Sequence, residues 1–165
     1  MHYARETTVA PEKSRFEIET TLRKYGAEGY AYGEDQGRSV IMFRIKSSDP
    51  TVSVMVRMTI PLPSRTDPGI VNNLKFKSYQ RGHRRTENQQ AQAFEQALRQ
   101  RWRAVLLIVK AKLEACASGI STVEREFLAD IVDPATNRTV GEGVFPQLTT
   151  NYKDPGNAAP LLLPG

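Results

Sequence analysis

Residues 87–118, ENQQAQAFEQALRQRWRAVLLIVKAKLEACAS, place Ala91, Phe94, Leu98, Trp102, Val105, Leu106, Val109, Leu113 and Cys116 at steps of three and four. Those steps put all of them on one face of a 3.6-residue period, so the stretch is predicted to be a long amphipathic helix with Gly119 as its stop. Directly before it, residues 73–85 read NLKFKSYQRGHRR, with Lys75, Lys77, Arg81, Arg84 and Arg85 and no acid. One segment thus supplies an organising core element and a place where a polyanion can dock.

Outward from the helix, the preceding residues alternate. Val52–Ile60 (VSVMVRMTI) sends Val52, Val54, Val56, Met58 and Ile60 one way and Ser53, Met55, Arg57 and Thr59 the other, the period of a half-buried strand. Arg38–Lys46 (RSVIMFRIK) puts Ile41, Phe43 and Ile45 on one face, and Gly29–Gly33 (GYAYG) is a short third strand. The turns between them, Glu34–Gly37 and Ser47–Pro50, are short and rich in turn-forming residues, which argues for an antiparallel meander. Upstream, Pro11 suits a first helical turn, Ile18, Leu22 and Tyr25 face inward, and Gly26 stops a helix there. Downstream, Ser121 and Glu124 read as a capping box opening a helix to about Val132, with Phe127, Leu128 and Ile131 inward. The fold class expected is α+β: a three-stranded antiparallel meander packed on a long helix, with an N-terminal helix and a short C-terminal one. Residues 1–10 read as an arm, 11–132 as a single domain, and 133–165 as a loop-rich tail in which Leu161–Leu163 stand out. Residues 61–86, carrying Pro61, Pro63 and Pro68, read as a long connection of the kind that often bears function.

Charge is unevenly spread. Residues 75–112 hold ten Lys/Arg against Glu87 and Glu95, a net of +8, whereas residues 1–74 net +1 and residues 113–165 net −4. This polarity points to one basic face for an anionic partner. On a helical projection Arg99, Arg103 and Lys110 share one flank of the apolar stripe with Gln92 and Gln96, while Arg101 and Lys112 lie on the other. The first flank, joined to Lys75, Lys77, Arg81, Arg84 and Arg85, is the candidate phosphate-binding track, and Tyr79 or Phe76 supplies a ring for base stacking. Opposite the stripe lie Ala93, Ala97, Ala104, Leu107 and Ala111. They suit a second helix or subunit, and equally suit simple helix propensity.

Catalytic chemistry finds no pattern here. His2 and His83 lack neighbours at metal-ligand spacing, Glu34, Asp35 and Asp49 fall at turns, and there is neither a Walker A loop nor a G-x-G-x-x-G. Neither a metal nor a cofactor is expected. Cys116 is the only cysteine and extends the apolar stripe, so no intrachain disulfide forms. No apolar run approaches the roughly 20 residues of a membrane span, and the N-terminal residues lack the apolar core of a secretory signal. A bacterial cytoplasmic location is expected, where the Asn137-Arg138-Thr139 glycosylation pattern goes unused.

YARETTVAPEKSRFEIETTLRKYGA and QRWRAVLLIVKAKLEACASGISTVEREFLADIV resemble uncharacterised proteins encoded by bacteriophages and prophages. That resemblance implies a mobile-element origin and carries no activity. In element order alone the chain is similar to the double-stranded RNA-binding domain, but Glu87-Asn88-Gln89-Gln90 stands where that family has a lysine-rich helix start. A meander followed by one long helix also looks like the core of phage single-strand annealing proteins, which form rings with a basic groove. The expectation is a non-enzymatic, phage-type protein that binds nucleic acid through the single-strand backbone, with homo-oligomerisation open. The alternative is an interaction module that docks on an acidic or host protein surface and inhibits or adapts a host complex, such as a defence complex.

Overall fold

The computed structural model describes residues 4, 6–35, 37–73 and 84–161. Helix α1 (Pro11–Lys24) starts at Pro11 and ends where Gly26 turns left-handed (φ +82°). There the amides of Gly26 and Ala27 reach back to the carbonyls of Arg23 and Leu22, closing the orphan carbonyls of the last turn. Strands β1 (Glu28–Asp35), β2 (Arg38–Lys46) and β3 (Ser53–Pro61) form an antiparallel sheet in the order β1-β2-β3. The β2–β3 register runs unbroken from Arg38↔Pro61 to Lys46↔Ser53, and β1 is irregular only between Glu28 and Ala31. β1 outruns the predicted GYAYG because its ladder continues to Asp35↔Arg38, with Gly37 at φ +77° allowing a tight return.

The period-2 reading sorts the faces correctly. Ile41, Phe43 and Ile45 of β2 and Val56, Met58 and Ile60 of β3 are buried, and Ile18 and Leu22 of α1 join them. Val52, expected inward, lies ahead of β3 and is exposed. The lid on this face is helix α3 (Glu87–Ala117), which contributes Trp102, Val105, Leu106, Val109 and Leu113. Each such side chain, fully buried, stabilises by roughly 1.5–3 kcal/mol. Phe43 meets Phe127 edge to face at 5.6 Å, and Trp102 meets Tyr32 at 5.7 Å. α3 begins with a capping box made by Thr86 and Gln89. Its predicted stripe is core only from Trp102 onward. Ala91, Phe94 and Leu98 are half-buried, because this end of the helix has the short helix α2 (Pro68–Val71) and its approach beside it rather than the sheet.

The C-terminal third departs most from expectation. Helix α4 (Val123–Phe127) is capped by Thr122 instead of Ser121 and passes into a single 3₁₀ turn, Leu128–Asp130. The Glu124 carboxylate accepts chiefly from the amide and hydroxyl of Ser48 and so ties α4 to the β2–β3 turn. The helix stops short of Val132 because Ile131 and Val132 turn extended and pair with the edge of β3, the Val132 amide bonding the Met55 carbonyl. Leu128, expected inward, is consequently 56% exposed.

Where a loop-like tail was expected, residues Val140–Lys153 form helix α5. Thr139 and Glu142 make its capping box. Pro146 lies inside it, and a proline deprives the carbonyl four residues earlier of its donor; that carbonyl, of Glu142, accepts instead from the Arg138 guanidinium at 2.7 Å. Gly141, which looks like a loop residue in the sequence, is a close-packing position: a Cβ there would stand 2.8 Å from the Ala129 carbonyl. Arg57 of β3 anchors the helix by reaching Glu142 and the Asn137 carbonyl. Among the described residues no helix is long and apolar enough to cross a membrane.

Candidate nucleic-acid interface

Lys75, Lys77, Tyr79 and Arg81, with Phe76 and His83, lie outside the described residues. The chain leaves the described part after Asn73 and returns at Arg84, and these two ends are pinned side by side. Asn72 and Arg84 form an antiparallel bridge, and the Arg85 amide bonds the Val71 carbonyl at 2.9 Å. The Arg85 guanidinium donates to the carbonyls of Gly69, Ile70 and Asn72. These are the orphan acceptors at the end of α2, which a cation satisfies well. Gln90, in the first turn of α3, donates to the Arg85 carbonyl at 2.7 Å. Arg85 is thus a structural clamp, and Arg84 next to it is exposed.

The flank of α3 expected to continue the basic track is the seam on which α1 packs. Gln96 donates to the Thr7 carbonyl, Arg103 pairs with Glu17 at 2.9 Å, and the Tyr25 hydroxyl bonds Glu114. These three contacts ascend together in both segments, so α1 and α3 run in the same direction. Arg99 pairs with Glu95 one turn away at 3.4 Å. Lys110 is exposed, beside Lys24 in a groove that Thr21, Leu107 and Ala111 also line. About 23 residues of helix, near 35 Å, separate Lys110 from the start of α3. Among the described residues, those predicted therefore do not line up in one open track. Arg84 stands at one end of α3, Lys110 at the other, and two arginines between them are paired with acids.

The opposite flank holds what sequence reasoning missed. Arg101 is exposed. Seven residues earlier on the same face is Phe94, with the Arg65 guanidinium 4.6 Å above its ring centroid. Arg65 and Phe94 are 29 positions apart and belong to no common period, so only the fold brings them together. The other cation expected on this flank, Lys112, is spent on structure: it donates to the Glu126 carbonyl and lies over the Phe127 ring.

Several other polar groups are engaged in the fold. Arg15 donates to the Tyr32 hydroxyl at 2.7 Å and to Glu34 and Glu12, and stacks on the rings of Tyr32 and Trp102. Burial first, and the bond to Glu34 second, push the Tyr32 hydroxyl above the usual tyrosine range. Asp49 accepts from the amide and hydroxyl of Thr51, which lowers its carboxyl below the usual value and makes it a turn-former. Asp130, raised by burial, lines a cleft of about 380 Å³ between β3 and α5 with Arg57, Thr59 and Phe145. Arg57 there is already paired with Glu142 at 3.0 Å. Burial likewise raises the Cys116 thiol, which is half-buried beside Tyr25, Ile45 and Val123. Among the described residues no three His, Cys, Asp or Glu side chains gather as a metal site. Compared with protein-family models, with curated proteins and with solved structures, the chain matches none.

Proposed function

We propose that this is a nucleic-acid-binding protein of bacteriophage type, non-enzymatic and cytoplasmic in its bacterial host, that holds single strands chiefly by their phosphates. One observation carries the reading. Arg65, Arg84 and Arg101 are exposed along the first half of α3 and its approach, and the sequence between Asn73 and Arg84 carries Lys75, Lys77 and Arg81. Of the acids nearest in sequence, Asp67 accepts from the Ser64 amide, Glu95 holds Arg99, and Glu87 stands exposed in the first turn of α3. Cations gathered in this way bind phosphate backbones by releasing condensed counterions.

A titration of fluorescent single-stranded and duplex DNA and RNA at low salt tests the proposal. Saturable binding, tighter for single strands, is expected, and no binding to any of the four would overturn it.

A second reading has its own observation. Leu107 and Ile108 on the outer side of α3 are 44% and 48% exposed, beside Ala104 and Ala111. Such a face favours a protein partner or a second copy of the chain. Sedimentation of the pure protein separates self-association from a monomer that keeps this face for another protein.

A further inference from the structure

We infer that Arg65 and Phe94 form a stacking seat for one unpaired nucleobase, with Arg101 placed for an adjoining phosphate. The inference rests on the nucleic-acid reading above and specifies which part of a strand is recognised. Phe94 has the spacing of a core residue, yet it is half-buried and lies outside the core cluster. What covers its ring is an exposed guanidinium, Arg65, at 4.6 Å. A guanidinium is planar, stacks on aromatic faces, and itself serves as a platform on which splayed-out bases stack. Arg65 held over Phe94 offers such a platform.

The surroundings fit a strand, in which bases and phosphates alternate. Arg101 follows Phe94 by seven residues, about 10 Å along the same face of α3. Gln90, one turn before Phe94, grips the Arg85 carbonyl at 2.7 Å and so fixes where the chain carrying exposed Arg84 joins the helix. The ring thus has a cation beyond it along the helix and another ahead of the helix start. Bases in a duplex are stacked inside the helix and cannot reach the seat, whereas a single strand presents them freely.

Two strands of equal length, oligothymidylate and its abasic counterpart, separate stacking from charge when titrated at one low salt concentration. The wild-type protein is expected to bind oligothymidylate about tenfold more tightly than the abasic strand, the effect of one stacked base. Arg65→Lys keeps the charge and loses the plane, and should bring the two affinities within about twofold; Phe94→Leu should do the same. Arg84→Ala should weaken both strands equally. Equal wild-type affinity for both strands, or a tenfold preference surviving in Arg65→Lys, overturns the stacking seat and leaves the nucleic-acid reading standing. Failure of the wild type to bind either strand overturns the seat, and if single-stranded RNA and both duplexes also fail to bind, it overturns the nucleic-acid reading with it.

Discussion

Arg84 and Arg85 are sequence neighbours whose side chains do different work. The Arg85 guanidinium caps α2 through three carbonyls, while the Arg84 side chain is exposed. Bonds from a charged donor are worth about 1.5–3 kcal/mol each when buried and less at a half-exposed site. Arg85→Ala is therefore expected to lower stability by about 1–2 kcal/mol in chemical denaturation, and Arg84→Ala to leave it unchanged while weakening nucleic-acid binding. Glu124 gives a pH signature. Its bonds from the Ser48 amide and hydroxyl hold its carboxyl at about 2, below the ordinary 4.5. A depressed carboxyl stabilises the fold fully above its unfolded value, and that contribution fades as pH falls toward the folded one. The melting-temperature gap between wild type and Glu124→Gln should accordingly be widest near neutrality and narrow between about pH 4.5 and 2. A gap constant across that window would show that the Ser48 contact contributes nothing.

At the scale of elements, the parts with strong periods were legible: α1, β2, β3 and α3 stand where their apolar spacing put them. α5 was hidden because Gly141, Gly143 and Pro146 carry the composition of a loop. In the fold Gly141 allows a close backbone approach and Arg138 stands in for the donor that Pro146 lacks. The first is a tertiary fact with no local signal; the second spans four residues and, like the Thr139–Glu142 capping box, was outweighed by the loop-like composition. The same limit applied to the candidate site. A helical projection grouped Arg99, Arg103 and Lys110 correctly by flank, but nothing in it says that α1 lies along that flank, or that Arg65 comes to rest on Phe94. Gly141→Ala provides the test for α5. A methyl group 2.8 Å from the Ala129 carbonyl forces the helix off the 3₁₀ turn, at a cost of roughly 1–3 kcal/mol. Proteolysis should then cut residues 133–140 faster than in the wild type, with the sheet and α3 still protected.

Across the whole molecule, several acids of the C-terminal third, Glu124, Glu142 and Asp133, serve turns, caps and ties between elements. The positive excess lies in residues 75–112, which hold ten Lys/Arg against two acids. This polarity is what a protein steered to a polyanion by long-range charge would carry. The slope of log affinity against log salt for a labelled single strand, measured for the wild type and for the Arg84→Ala/Arg101→Ala double variant, tests that claim most directly. A wild-type slope of about −3, reporting four to five phosphates, with the double variant shallower by about 1.4, is the expected result. A wild-type slope near zero, or one that the double variant leaves unchanged, would contradict it.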